Sequence, residues 1–109
     1  MNLYEIIEGS LTMSMIRRRV IVTGIVQGVW FRASTRDAAV EAGVTGWVRN
    51  LPNGGVEAVF EGEERQVEQA VNWCYRGSPG SRVEKVQVVK EEYTGGFGDF
   101  AITYIRGTF

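Results

Sequence analysis

Two kinds of hydrophobic periodicity alternate along the chain. Apolar and β-branched residues alternate with polar ones over short stretches, as in half-buried strands, and recur three and four positions apart over two longer stretches, as in amphipathic helices. Clusters of glycine and proline separate the stretches. The predicted elements are a strand over residues 19–26, a helix over 31–42, strands over 44–50 and 56–61, a helix over 63–76, and strands over 83–90 and 100–105.

The order of these elements predicts the fold class. The short turn Pro52-Asn53-Gly54-Gly55 indicates that the second and third strands form an antiparallel hairpin. Two helices packed on one face of an antiparallel sheet would cover the apolar side that each strand–helix pair leaves open. The order βαββαβ, followed by a short strand, therefore predicts an α/β (α+β) domain, a ferredoxin-like α/β sandwich.

The two ends of the chain lie outside this pattern. We expect residues 1–18 to be an N-terminal extension, residues 19–105 to form the domain, and residues 106–109 to be a C-terminal tail. Gly9-Ser10 interrupts the extension, and Met13 and Met15 are alternative starts, so the segment is either a native arm or a start-site feature. We expect residues 1–15 to add a strand or to pack against an apolar surface, of this chain or of a second copy, through which the protein could self-associate.

Composition narrows the function classes. The 109 residues suffice for one domain, and the net charge of -1 gives no general attraction to nucleic acid or to a membrane surface. No apolar run is long enough to span a bilayer, no signal peptide is recognisable, and the single cysteine favours a reducing cytoplasm. The chain contains no histidine. This excludes Ser-His-Asp and Cys-His nucleophiles, phosphohistidine chemistry and almost every transition-metal site.

The segment Gly24–Arg32 joins the first strand to the first helix through a turn that contains two glycines. Backbone N–H groups at such a junction lie at the positive end of a helix dipole and suit an anion, and the guanidinium of Arg32 adds a planar fork that matches phosphate. The alternative is that the glycines only make a turn and that Arg32 points into water or pairs with an acid. The segment is not a Walker loop, because no Gly-Lys-Ser/Thr follows it.

A second polar residue stands at the end of the second strand. In the stretch Gly46-Trp47-Val48-Arg49-Asn50, the side chain of Asn50 offers a donor and an acceptor on a rigid strand end, and it could hold a water molecule without titrating. The alternative is that Asn50 only caps the turn before Leu51-Pro52.

Together, the stretches Gly24–Arg32 and Gly46–Asn50 resemble the two signatures of the acylphosphatase family in order and separation. The resemblance extends to Ser78–Val83 and Phe100–Tyr104 and covers residues 19–104. It implies a ferredoxin-like fold and hydrolysis of the carboxyl–phosphate bond of acyl phosphates, without metal or cofactor. It also implies that Arg32 binds the phosphate and Asn50 orients the attacking water. The implied phosphate-binding loop consists of Gln27, Gly28, Val29, Trp30, Phe31 and Arg32.

This chain departs from the family pattern in the extension, in the tail, and at Trp30, which occupies a variable loop position and could narrow the mouth of the site. The implied partner is a small acyl phosphate, with no nucleic acid and no membrane. The rival hypothesis is a binding module on the same fold, which holds an anion or a partner without turnover. An RNA-binding version would show paired exposed aromatic residues on its central strands, and the third strand has only Phe60.

Other phosphatase chemistries fit the sequence poorly. Cys74 lies on the apolar stripe of the second helix, and Gly80 stands where a cysteine phosphatase needs an arginine. An aspartyl-phosphate enzyme would need paired aspartates, whereas Asp37 and Asp99 stand alone. The acidic run Glu61, Glu63 and Glu64 is interpreted as a strand end and a first helical turn rather than a metal site, and Arg17-Arg18-Arg19 as a solvated strand edge.

Overall fold

A computed structural model of the protein describes residues 14–104. The elements follow the predicted order. They are β1 (Met15–Ile25), α1 (Phe31–Ala42), β2 (Thr45–Asn50), β3 (Val56–Glu63), α2 (Glu64–Arg76), β4 (Arg82–Glu91) and β5 (Phe100–Ile102).

The sheet has the strand order β4-β1-β3-β2-β5. The pairs β1–β3, β1–β4 and β2–β3 are antiparallel, as the short turn between β2 and β3 predicts, and β2–β5 is parallel. The ferredoxin-like prediction is therefore confirmed, with a fifth strand that makes the sheet mixed. The parallel pairing brings the chain after β5 to the edge where β2 ends at Asn50.

The largest difference from the predicted elements lies at the start of β1. The strand begins at Met15 rather than at residue 19, because residues 15–18 continue the antiparallel ladder with residues 60–63 of β3. The run Arg17-Arg18-Arg19 was interpreted as a solvated strand edge. Arg17 and Arg19 instead form ion pairs with Glu91 of β4, so their side chains are bound to the sheet. Of the predicted extension, residues 1–13 lie outside the described part of the chain, as does the predicted tail.

Both helices pack on the same face of the sheet. The strands supply the inward-facing, nearly inaccessible side chains of Val20, Val22, Val48 and Phe60, and the helices supply theirs at helical spacing. Burying each of these larger apolar side chains contributes about 1.5–3 kcal/mol. The helix side of this core consists of Phe31, Ala39, Ala42, Val67, Ala70, Val71 and Cys74.

The other face of the sheet carries a cluster of paired charges. Arg17 bonds Glu61, and Arg19 and Arg49 both bond Glu57. Glu61 is 1% exposed and also accepts hydrogen bonds from Thr94 and Gly95 in the connection between β4 and β5. Burial alone would raise the pKa of Glu61, but the bonds from Thr94, Arg17 and Gly95 outweigh it and lower that pKa. Glu61 therefore holds this connection against the sheet as a carboxylate.

Candidate active site

Two glycines determine the backbone conformation of the loop between β1 and α1. The pairing of β1 with β4 shifts register at Thr23/Gly24, and a Cβ atom on Gly24 would lie 2.1 Å from the carbonyl oxygen of Arg82. Only glycine fits this close approach, after which the chain leaves the sheet. Gly28 has a φ of 75°, in the left-handed region that glycine adopts at little cost.

Trp30 ends the loop and caps α1. Its φ of 60° and ψ of 24° place it in the left-handed region, where it is the one non-glycine residue with positive φ in the described part of the chain. The first backbone bond of the helix runs from the N–H of Ser34 to the carbonyl of Trp30. The N–H groups of residues 27–32 donate to no acceptor within residues 14–104. Because the first turn of α1 contains no acidic residue, these donors and the helix dipole form a concentrated positive site.

Arg32 lies in this first turn and forms no ion pair with any carboxylate of residues 14–104. Its guanidinium carbon lies 5.2 Å from the centre of the Tyr104 ring, a cation–π contact. That contact leaves the N–H donors of the guanidinium available. The described residues therefore contain no acidic partner that would give Arg32 a purely structural role.

Asn50 is the last residue of β2, and its Oδ1 atom is buried without a hydrogen-bond partner among the described residues. An unpaired buried polar atom costs about 1–3 kcal/mol. The Oδ1 atom does not cap the following turn. That turn is closed by other groups, because the Gln27 Nε2 atom donates to the carbonyls of Leu51 and Gly55, each at 2.8 Å.

One cavity of about 380 Å³ brings these groups together. It opens at the N-terminus of α1, beside the ends of β2 and β5. Its lining residues are Val26, Gly28, Trp30, Phe31, Arg32, Ala33, Asn50, Ile102 and Tyr104. Arg32, Asn50 and three of the predicted loop residues (Gly28, Trp30 and Phe31) thus share one site.

The sequence model of the acylphosphatase family matches residues 18–102, which span both helices and the whole sheet apart from the first three residues of β1. The chain belongs to the acylphosphatase family. It is an enzyme of that family, as its curated relatives indicate.

Relatives and solved structures agree on this. An acylphosphatase from Pelotomaculum thermopropionicum is 51% identical over 92 residues, which cover 84% of this chain and 100% of the relative. One from Rubrobacter xylanophilus is 56% identical over 86 residues, covering 79% of this chain and 78% of the relative. The crystal structure of an acylphosphatase from Bacillus subtilis superimposes with a TM-score of 0.78 at 36% identity, covering 82% of this chain and 99% of that one.

Two residues of the predicted phosphate-binding loop do not line the cavity with their side chains. Gln27 turns towards the β2–β3 turn and ties the loop to the segment that follows Asn50. Val29 offers its carbonyl to Ser78, whose Oγ donates to it at 2.9 Å. Ser78 is 3% exposed, and its own carbonyl accepts a bond from Ser81 Oγ at 2.6 Å. Both predicted residues can therefore take part only through their backbone N–H groups.

Sequence reasoning assigned no role to Ser78, Ile102 or Tyr104. The stretches that contain Ser78 and Tyr104 were noticed, but only as part of the family resemblance. Alternation along the last strand places Phe100, Ile102 and Tyr104 on one face, and the buried Phe100 identifies that face as the one that carries the helices. This signal places Tyr104 on the helix side of the sheet, and the pairing of β5 with β2 then brings it beside the start of α1.

The remaining reactive groups lie outside the cavity. Cys74 is fully buried on α2, and burial raises the pKa of its thiol to about 12, which leaves it protonated. Within residues 14–104, no three acidic or cysteine side chains are grouped as a metal site. No helix among these residues is long and apolar enough to cross a membrane.

Proposed function

We propose that the protein hydrolyses the carboxyl–phosphate bond of acyl phosphates, with Arg32 and loop N–H groups holding the phosphoryl group and with no metal ion taking part. One observation carries the proposal. The guanidinium of Arg32 and the Oδ1 atom of Asn50 both lack a hydrogen-bonding partner among the described residues, and both line one cavity at the N-terminus of α1. Membership of the acylphosphatase family supports it.

Phosphate binding uses hydrogen-bond donors that have no acceptor among the described residues. The N–H groups of residues 28–32 and the fork of Arg32 donate to the non-bridging oxygens of the phosphoryl group. They are fixed before the substrate arrives, by the helix and by the Gln27 and Ser78 bonds, so little reorganisation accompanies the reaction. Their positive charge faces the oxygens on which negative charge accumulates in phosphoryl transfer.

Asn50 directs the nucleophile. Its Oδ1 atom accepts a hydrogen bond from a water molecule, whose oxygen attacks phosphorus opposite the bond to the acyl oxygen. The P–O bond to that oxygen breaks and the carboxylate leaves with the electron pair. One proton of the water stays on the new P–O–H group, and the other moves to a phosphoryl oxygen, so the products are carboxylate and dihydrogen phosphate. The leaving carboxylate is stable, so no histidine or metal is needed to assist its departure.

The same geometry supports a small molecule as the partner, rather than nucleic acid or a membrane. Three arginines of the helix-free face, Arg17, Arg19 and Arg49, are engaged by acids, as in the pairs of Arg19 and Arg49 with Glu57. The buried, protonated thiol of Cys74 fits the reducing cytoplasm in which we place the reaction.

The test is release of benzoate from benzoyl phosphate in the presence of EDTA. We expect turnover by the unaltered protein, and a loss of about 100- to 1,000-fold in kcat for both Arg32→Ala and Asn50→Ala, since each removes one preorganised group. Arg32→Lys keeps the charge but not the fork, and we expect it to recover only part of the activity.

Matched control residues lie on the two helices, outside the cavity. Arg36→Ala removes an exposed guanidinium one turn along α1, and Asn72→Ala removes an exposed amide on α2; neither residue lines the cavity, and both variants should retain full activity. Turnover that EDTA abolishes would overturn the metal-free chemistry. Full activity in Arg32→Ala would refute the site. Phosphate binding, seen as a rise in melting temperature, without any turnover would instead establish the binding module.

A further inference from the structure

The cavity is larger than a phosphoryl group requires. Its volume of about 380 Å³ equals that of roughly a dozen water molecules in the liquid. The polar groups, which are the N–H groups of the loop, Arg32 and Asn50, account for only part of its wall. The rest is apolar and is lined by Val26, Trp30, Phe31, Ala33, Ile102 and Tyr104. A substrate whose phosphoryl group binds at the polar part can place its acyl group against this apolar part.

Trp30 is unusual at its position on two counts. The residue is 81% exposed, and its ring stacks on no other ring among residues 14–104, so Trp30 adds little to the folded core. Its left-handed backbone also favours glycine or asparagine, and a tryptophan there is strained. A residue that costs the fold stability and lies beside a reactive site is explained by contact with a ligand.

Tyr104 supplies a second ring at the same cavity. It is 70% exposed, and one face of its ring is engaged by the guanidinium of Arg32. Ile102 lies two residues earlier and lines the wall between this ring and β2, with which β5 pairs in parallel. Flat aromatic ligands gain from offset or edge contacts with such rings in addition to the burial of their area.

From this arrangement, and resting on the proposed function, we infer that Trp30, Ile102 and Tyr104 form an acyl-group subsite that selects acyl phosphates with an aromatic or other large, flat apolar acyl group. The phosphoryl group fixes one end of the substrate, and the ring of Trp30 contacts the acyl end. Small acyl groups, such as acetyl, make the phosphoryl contacts without this second contact. Trp30 thus has two separate parts in the site, its backbone N–H towards phosphate and its ring towards the acyl group.

The test compares kcat/KM for benzoyl phosphate with kcat/KM for acetyl phosphate in each variant. This ratio cancels any effect on the shared phosphoryl step. Asparagine tolerates the left-handed backbone, so Trp30→Asn removes the ring without forcing the loop to rearrange, and Trp30→Gly removes both ring and strain. We expect both variants to lower the ratio by roughly 10-fold relative to the unaltered protein, and Trp30→Phe to keep most of it. Competition by phenylphosphonate, relative to methylphosphonate, should weaken in parallel.

Tyr75→Ala is the matched control, because Tyr75 is an exposed aromatic residue on α2 that does not line the cavity. It should leave the ratio unchanged. If the unaltered protein turns over both substrates and the ratio is the same in Trp30→Asn and Trp30→Gly, the acyl subsite is refuted while the proposed function stands. If the unaltered protein turns over neither substrate, the proposed function fails and the subsite fails with it.

Discussion

Replacing Ser78 by alanine removes one buried hydroxyl that bonds the loop proposed to bind phosphate. Ser78 Oγ donates to the carbonyl of Val29 at 2.9 Å. No peptide bond in the described part of the chain is cis, so the carbonyl of Val29 and the N–H of Trp30 point in opposite directions across their shared peptide plane. Holding the carbonyl on Ser78 therefore turns the Trp30 N–H away from Ser78, on the side where the phosphoryl group is proposed to bind.

The structure sets the size of the expected effect. A single intramolecular hydrogen bond contributes about 0.5–1.5 kcal/mol, and a partly buried carbonyl left without a donor adds to that cost, so Ser78→Ala should lower the free energy of unfolding by about 1–2 kcal/mol. Losing about 1.4 kcal/mol of orientational preference lowers the ratio of productive to unproductive loop orientations about tenfold. Complete loss of one oriented donor would cost about 100-fold or more. We therefore expect kcat/KM to fall by between about 10- and 100-fold.

The assay is benzoyl phosphate hydrolysis together with urea unfolding. Ser81→Ala is the matched control, since Ser81 Oγ bonds the carbonyl of Ser78 in the same loop and makes no bond to Val29. It should lose similar stability with a much smaller loss of kcat/KM. Ser78→Thr retains the hydroxyl and should restore most of the activity. If Ser78→Ala is destabilised but as active as Ser81→Ala, the bond supports only the fold and the orientation argument is wrong.

Further predictions concern the fold that carries the site. Hydrogen bonds lower the folded-state pKa of Glu61, so its contribution to stability is present above its usual pKa of 4.5 and is lost as the pH falls below it. Glu61→Gln should cost roughly 3 kcal/mol at pH 7, and urea unfolding should show the difference from the unaltered protein shrinking in acid. Cys74, with a thiol pKa of about 12, should react with a thiol reagent at pH 8 only at the rate of unfolding, and faster modification would contradict its burial. Gly46→Ala would bring a Cβ atom to 1.8 Å from the Val59 carbonyl oxygen, and should destabilise by several kcal/mol. Gly54→Ala meets no atom within 4 Å and should cost only about 1 kcal/mol of backbone strain.

The sequence was sufficient for the parts of the fold that periodicity controls. Helix α1 has the predicted bounds, Phe31–Ala42, because its apolar stripe ends at a glycine, and the short turn before Val56 fixed the β2–β3 hairpin. The start of β1 was missed because Arg17 is polar on the outward face, and only its acid partners on β3 and β4, Glu61 and Glu91, make a strand there favourable. Local pattern contains no information about such partners.

The same limit applies to the site. Arg32 and Asn50 could be proposed from two local stretches, but nothing local places Ser78 or Tyr104 beside them. Ser78 reaches Val29 across 49 positions of sequence, and Tyr104 reaches Arg32 through the parallel pairing of β5 with β2. Contacts of this kind follow from topology, so they became visible only with the strand order.

The two faces of the sheet differ in whether the fold itself accounts for their energetically unfavourable residues. On the helix-free face, the buried acids Glu57 and Glu61 have arginine partners, so folding alone accounts for them. Around the cavity, Arg32 opposes the helix dipole, Trp30 adopts a left-handed backbone, and Asn50 Oδ1 is buried without a partner in the described residues. Each of these features costs the fold on the order of 1 kcal/mol. In a sequence that otherwise suits its fold, energetically unfavourable residues of this kind are concentrated at functional sites, where a bound ligand supplies the missing interactions. A phosphoryl group would neutralise Arg32 and occupy the free N–H groups, an attacking water would bond Asn50, and an acyl group would cover Trp30. One substrate with its water thus resolves all of these conflicts together, which a structural account of any one residue would not explain.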